Sequence, residues 1–414
     1  MPRAHIVLRF TICLAASSTV APPAWGTVTS SVIDGVLTIT GDDEDNEVHV
    51  RCGGDATVLI NGSDPDTGPA ACADLTSIVV TGGDRADYID LRRVHRTTFP
   101  AVSSVTTEAG DEDDTVWGSD TPDSIHAGDG RDQIFGDPTL DDVIDGGKGT
   151  DLLVTSIDSN VTITSDGLTT EAGTFTFTAI ENLYLNGGRA PQTFDGRGFS
   201  GRLSVSARGG DDRILGGSGN NLLSGDQGMD RIVGGPDDDS YLDGGSGKDI
   251  VIGKAGDDHL ISGFAKHDRL RGGRGNDAFC CVFGSDKALF SGGPGVDSVR
   301  AFVDFGTAVV SDSFVTSQGD TARLRSVEEA FVDAPDAGGG IVIDASRFSG
   351  NAHLWGGSFG GADVLIGGSG RDELFGLDGN DELDGGPGRD ELDGGPGTDE
   401  CDGGQGDDRV THCE

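Results

Sequence analysis

Twelve aspartates recur at one place in a nine-residue pattern: Asp132, Asp151, Asp230, Asp249, Asp258, Asp277, Asp297, Asp372, Asp381, Asp390, Asp399 and Asp408. The units read GLDGNDELD (376–384), GGPGRDELD (385–393), GGPGTDECD (394–402) and GGQGDDRVT (403–411) in an unbroken array near the C-terminus. The same register returns at AGDGRDQIF (127–135), GGKGTDLLV (146–154), GDQGMDRIV (225–233), GGSGKDIVI (244–252), GGRGNDAFC (272–280), GGPGVDSVR (292–300) and GGSGRDELF (367–375). Glycine holds positions 1, 2 and 4, aspartate position 6 and an apolar residue position 8. The strict string GGxGxD occurs eight times, too often and too much in phase for chance. Each unit therefore places one carboxylate in a glycine-rich turn, beside backbone carbonyls that the turn leaves free. Six to eight such oxygens in a flexible loop are the ligand set of Ca²⁺.

The elements that position these carboxylates follow from the rest of the unit. Glycines permit the positive φ and close backbone approach of a tight turn. Positions 7–9 make a minimal strand whose middle residue points inward. That position is filled by Ile125, Ile134, Leu153, Ile214, Leu223, Ile232, Val251, Leu260, Phe279, Leu374, Leu383 and Leu392. One unit cannot bury a single apolar residue, so stacked turns must share a thin core. Stacking also brings like carboxylates together at about 5 Å, which is repulsive without a cation. Metal binding and folding are therefore expected to be one event. The competing reading makes these aspartates turn formers only; charge argues against it.

At these residues the chain resembles the repeats-in-toxin (RTX) calcium-binding nonapeptide family, whose signature is GGxGxDxUx. The resemblance implies an all-β parallel β-roll or β-solenoid, with two nonapeptides per coil. Calcium would lie between turns stacked on one side, held by position-6 aspartates and loop carbonyls. Weaker matches are Asp114, Asp123, Asp142, Asp212, Asp268, Asp286 and Asp363. Asn221 replaces the aspartate in its unit, and Asp239 sits in an ambiguous register. The nonapeptides cover about 109–154, 207–300 and 356–411.

Between them runs a longer repeat. DLTSIVVTGG (74–83), AIENLYLNGG (179–188) and SVEEAFVDAP (326–335) each follow alternating, Thr- and Val-rich sequence that reads as strands. The chain divides into a leader at 1–26 and β segments at 27–106, 155–206 and 301–355. Calcium-binding blocks occupy 107–154, 207–300 and 356–414. Three β-rich modules in one continuous or kinked solenoid are expected.

Composition supports this reading. The 414 residues hold 70 Gly, 71 Asp+Glu against 29 Lys+Arg, and a net charge of −42. Asp outnumbers Glu 58 to 13, and both Asp and Gly disfavour helix interiors. Charge excludes a nucleic-acid or anionic-membrane binder. Arg3 and Arg9, the apolar run Phe10–Ala21 and Ala24-Trp25-Gly26 read as a cleaved secretory signal, predicting a secreted protein. No second apolar stretch is long enough to span a bilayer.

Without Cys13, six cysteines remain. Proximity favours Cys52–Cys72 and Cys401–Cys413, while the adjacent Cys280 and Cys281 form either a vicinal bridge or two free thiols. Catalytic signatures fail. The only GxSxG string, Gly356–Gly360, sits in a glycine-rich turn without the helix a nucleophile elbow needs. No HExxH, P-loop or EF-hand pattern occurs. His126, His259 and His267 read as exposed repeat residues. A non-catalytic, structural or adhesive calcium-binding solenoid is therefore expected, with a cell-surface, matrix or polysaccharide partner left open. The alternatives are a polysaccharide-directed enzyme on a solenoid face and a self-assembling surface-layer component.

Overall fold

The computed structural model describes residues 25–136, 141–263, 267–280, 288–303, 305–317, 320–334 and 339–414. Among these, forty short strands and one 3₁₀ turn, Cys72–Asp74, make up the regular structure. Successive strands alternate between two sheets, so the chain winds as a flattened coil. In the nonapeptide blocks each three-residue strand pairs in parallel with the strand one coil on. Leu374, for example, lies opposite Leu354 behind it and Leu392 ahead. This is the parallel β-solenoid that the repeats imply.

All twelve position-8 residues are buried, at 0–1 % exposure. Most of their flanking residues face outward, as in Glu391–Asp393, buried only at Leu392, while Leu215 and Val233 are buried beside their position-8 neighbours. Position 8 thus supplies most of the core of these blocks, with Ala109, Ala127 and Ala207 added at position 1. Where strands lengthen, more apolar residues enter, as in Ser77–Gly83 with Ile78 and Val80 inside.

Two antiparallel meanders interrupt the parallel order, both in one sheet. Strands Val161–Thr164, Gly167–Thr170 and Thr174–Thr178 pair antiparallel in sequence. The last then pairs in parallel with Val143–Gly149, and the first with Thr193–Gly198. Thr307–Ser311, Phe314–Ser317 and Asp320–Arg325 repeat this arrangement between Leu289–Ser291 and Val342–Arg347. Each meander adds two strands to its sheet, about 10 Å at normal strand spacing. Because every neighbour remains paired, that sheet runs unbroken through 22 strands. The alternating segments at 160–178 and 306–325 are these meanders.

Both proximal cysteine pairs are bridged: Cys52–Cys72, and Cys401–Cys413 across 12 residues. Cys401 takes the inward place opposite Leu383 in the last complete coil. Cys280 is disulfide-bonded, while Cys281 lies outside the described residues. Among the described residues no helix is long and apolar enough to cross a membrane. The expected signal sequence falls almost wholly on residues 1–24, outside the described ones.

Candidate metal centre

The turns at the two edges of the flattened coil stack into two rows, and the position-6 side chains line them. Within a row, the backbone N–H of each position-6 residue donates to the carboxylate Oδ1 of the next coil. One row begins Asn46 to Asp87, Asp87 to Asp114, Asp114 to Asp132 and Asp132 to Asp151, at 2.6–2.9 Å. It resumes as Asn221, Asp239, Asp258, Asp277 and Asp297, and again as Asp372, Asp390 and Asp408. The opposite row holds Asp123–Asp142, then Gln192, Asp212, Asp230, Asp249 and Asp268, then Asp363, Asp381 and Asp399. All twelve aspartates singled out by the repeats stand in these rows, as do Asp114, Asp123, Asp142, Asp212, Asp239, Asp268 and Asp363. Asp286 lies outside the described residues.

The second carboxylate oxygen divides the turns into two kinds. In seven turns the residue at position 2 donates its own N–H to the position-6 side chain. The pairs are Asp42 to Asn46, Ser119 to Asp123, Gly188 to Gln192, Gly217 to Asn221, Gly235 to Asp239, Gly357 to Asp363 and Gly368 to Asp372, at 2.6–3.3 Å. None of these position-2 residues has positive φ.

In thirteen other turns position 2 lies at φ between +64° and +155°, in Gly83, Gly110, Gly128, Gly147, Arg208, Asp226, Gly245, Lys254, Gly273, Gly293, Leu377, Gly386 and Gly395. The aspartates of those turns are Asp87, Asp114, Asp132, Asp151, Asp212, Asp230, Asp249, Asp258, Asp277, Asp297, Asp381, Asp390 and Asp399. Each keeps a buried Oδ2 with no hydrogen-bond partner, and Asp268 does the same. Reversing φ at position 2 therefore accompanies the loss of the carboxylate's second donor.

The two asparagine turns show what can surround a position-6 side chain. Asn221 accepts the Gly217 N–H on its Oδ1, as Asp239 and Asp372 accept the equivalent N–H on Oδ2, and its NH₂ donates to the carbonyls of Gly217 and Gly219 at 3.3 and 2.8 Å. Asn46 donates likewise to Asp42 and Glu44, at 3.1 and 2.5 Å. In these two turns the carbonyls at positions 2 and 4 point at the position-6 side chain. An aspartate there sets an acceptor against acceptors, an arrangement that needs a positive partner. Position 1 bounds the same space: a Cβ on Gly385 would sit 3.0 Å from Asp390 Oδ2 and 2.8 Å from the Gly403 carbonyl. The turns of Asp114, Asp132 and Asp212 carry a buried alanine at that place, Ala109, Ala127 and Ala207.

Electrostatics agrees. Burial, reinforced by neighbouring carboxylates, pushes Asp114 and Asp258 up to about 8, and Asp230, Asp249 and Asp277 up to about 7. Burial raises Asp132, Asp212, Asp381 and Asp390 to about 6. An array of buried, unsatisfied, mutually repelling carboxylates with carbonyls beside them fits a hard cation such as Ca²⁺. No group of three or more His, Cys, Asp or Glu gathers among the described residues; the oxygens come from one side chain per turn and from backbone.

The fold and these rows define a calcium-binding parallel β-roll. Comparison with family models matches the RTX calcium-binding nonapeptide repeat at residues 108–138, 141–161, 206–241, 237–260, 262–279, 358–392 and 375–410. The chain therefore carries RTX repeats in all three blocks, and repeats of this kind bind Ca²⁺. Comparison with curated proteins finds no match.

The reading from spacing missed Asn46, Asp87 and Gln192. Their units, GDDEDNEVH (41–49), GGDRADYID (82–90) and GGRAPQTFD (187–195), keep the register but lack Gly at position 4. The apolar position 8, at Val48, Ile89 and Phe194, was the available signal, and all three are buried at 0 % exposure. His126, His259 and His267 are exposed, and His126 pairs only with Glu108, at 3.2 Å.

Proposed function

We propose that this is a secreted, structural calcium-binding solenoid, non-catalytic, whose ordering depends on extracellular calcium. The observation that carries the proposal is the contrast between amide and carboxylate turns. Asn46 and Asn221 satisfy their own loop carbonyls, whereas the aspartates of the positive-φ turns keep a buried Oδ2 without a donor, and at Asp381 that Oδ2 and the next coil's Gly394 carbonyl bound one space. The ligand set is Asp87, Asp114, Asp132, Asp151, Asp212, Asp230, Asp249, Asp258, Asp268, Asp277, Asp297, Asp381, Asp390 and Asp399, each with carbonyls of its turn and the next coil. Asp408 ends its row beside Gly404, which has the same positive φ, +82°. Asp372 is placed apart from this set, because Gly368 already caps it.

Bound calcium would supply positive charge and open ligand positions to oxygens that otherwise repel. The carboxylates do the rest: each Oδ1 ties one coil to the next through a backbone N–H, and each Oδ2 awaits a partner. Secretion is supported by the leader-like sequence at 1–26 and the two bridges, since disulfides persist in oxidising compartments. Extracellular calcium modules work at about 10⁻⁴–10⁻³ M. Far-UV circular dichroism with small-angle scattering during a calcium titration tests the proposal. Cooperative compaction is expected in that range, with no response to Mg²⁺, which demands a smaller octahedral shell. A compact, β-rich protein in excess chelator would overturn it.

A further inference from the structure

Both interruptions of the first turn row end on a glutamate from outside the nonapeptides. The N–H of Asp151 donates to Glu181 Oε2 at 2.9 Å, and that of Asp297 donates to Glu328 Oε2 at 3.0 Å. Glu181 and Glu328 thus take the place where each preceding coil finds the next aspartate. They are 30 and 31 residues downstream rather than 18–20, because a meander lies between. Asp151 and Asp297 are fully buried, and each keeps an unpartnered Oδ2.

The backbone repeats the substitution. In the regular turns the space beside the position-1 glycine is bounded by that turn's Oδ2 and by the position-1 carbonyl of the next coil, as at Gly376 with Asp381 Oδ2 and the Gly394 carbonyl, both 2.6 Å from a built Cβ. Beside Gly146 the bounding atoms are Asp151 Oδ2 and the carbonyl of Ala179. Beside Gly292 they are Asp297 Oδ2 and the carbonyl of Ser326. Ala179 and Ser326 stand two residues before the glutamates, and both adopt the left-handed conformation, with φ of +52° and +47°. That conformation is costly for residues other than glycine, and it recurs here at equivalent points of the two meander modules. It delivers a carbonyl where a nonapeptide would have placed one.

We propose that the calcium sites of Asp151 and Asp297 are completed by a second carboxylate from outside the repeats, Glu181 or Glu328, each carried by a non-repeat segment, Ala179–Glu181 or Ser326–Glu328. Each site ties the end of a repeat block to the strand that follows its meander, Asn182–Asn186 or Glu329–Ala334. Repeat blocks and meander modules are then ordered by the same ion. The proposal rests on the calcium reading above and extends it beyond the aspartates of the motif.

The test counts bound calcium in the full-length secreted protein by native mass spectrometry and equilibrium dialysis, with hydrogen exchange at 157–186 and 303–334. Glu181→Gln and Glu328→Gln keep the oxygen that accepts the N–H and remove only the charge, so a purely structural cap survives them. Each single variant is expected to bind one ion fewer, and the double variant two fewer. Exchange should quicken by at least tenfold in the matching module and not in the other. Asp249→Asn serves as the comparison within a regular block. If it loses calcium while both glutamine variants keep the wild-type count and exchange, the glutamate sites are refuted and the calcium reading stands. If the wild-type protein binds no calcium, both fall.

Discussion

Residues 27–106, the first eighty after the leader-like segment, and residues 356–411 wind into the same coil and are held together differently. Residues 27–106 bury sixteen apolar side chains, among them Leu37, Ile39, Val48, Val50, Leu75, Ile78, Val80, Ile89 and Phe99. Their strands reach five to eight residues at several points, and Cys52–Cys72 closes a loop within them. Residues 356–411 fully bury four, Leu365, Leu374, Leu383 and Leu392, on strands of three residues. A buried aliphatic side chain stabilises by roughly 1.5–3 kcal/mol, while ordering each residue's backbone costs about 1–2 kcal/mol. The N-terminal coils can lean on apolar burial; the C-terminal coils cannot. Turn chemistry differs in number: position 6 in the first region is the self-sufficient Asn46 and then Asp87, with one bare Oδ2. In the last region the capped Asp363 and Asp372 are joined by Asp381, Asp390 and Asp399 with bare Oδ2 atoms.

The largest expected effect is therefore unequal unfolding on chelation. Hydrogen exchange in excess EGTA should strip protection from the strands between Glu373 and Thr411. The strands between Val36 and Thr81 should retain most of theirs. Uniform loss along the whole chain would mean that the N-terminal core is not independently adequate, and the comparison would break.

Acid should replace the cation in part. The carboxylates lie above their ordinary value in the folded, metal-free chain, so the folded state holds protons that the unfolded state releases. Their contribution is fully present below about pH 4. It is lost as pH rises through the folded values: about 6 at Asp381 and Asp390, about 7 at Asp230, Asp249 and Asp277, and about 8 at Asp114 and Asp258. Metal-free protein followed by exchange should keep more structure at pH 4 than at pH 8. The C-terminal block should loosen at lower pH than the central block. Apo protein that gains structure as pH rises would contradict the sign.

Within the C-terminal block two aspartates one coil apart should differ. Asp390→Asn removes a carboxylate whose Oδ2 has no partner, whereas Asp372→Asn removes one already capped by Gly368 at 2.6 Å. The first should raise the calcium midpoint by roughly tenfold, about 1.4 kcal/mol. The second should shift it by less than about twofold. Equal shifts would show that the position-2 donor does not sort the turns.

Much of this was legible in the sequence, and the exceptions have physical reasons. Positions 6 and 8 could be read because a side chain must occupy each, so the register of Asp132 or Leu392 is written in residue types. Asn46, Asp87 and Gln192 were hidden because position 4 in their units is not glycine, although the coil tolerates that. The split between Asp372 and Asp390 is invisible, since Gly368 and Gly386 are the same residue with opposite φ behaviour, and glycine adopts either sign freely. Glu181 and Glu328 were hidden by distance: a meander of about a dozen extra residues separates each from the aspartate it follows.

The smallest expected effect separates strain from charge at position 2. Leu377 and Lys254 both hold a positive φ there, +69° and +98°, where Gly386, Gly395 and Gly404 lie at +82° to +92°. A left-handed conformation costs a residue with a Cβ roughly 1–2 kcal/mol. Glycine loses about half of that gain through its freer unfolded chain. Leu377→Gly is thus expected to stabilise the calcium-bound protein by about 0.5–1 kcal/mol, read as a higher urea midpoint with unchanged slope. Lys254→Gly relieves the same backbone but also removes an ammonium that donates to the Gly234 carbonyl at 2.7 Å. Gly234 opens the turn of Asp239, which Gly235 caps and whose carboxyl burial raises, with the Gly235 and Asn221 donors and the nearby Lys254 charge opposing that rise. Lys254 acts there as a fixed cation, and its loss should cancel or reverse the gain. If both glycine variants stabilise equally, Lys254 contributes nothing but strain; if neither does, the left-handed geometry at position 2 is not strained.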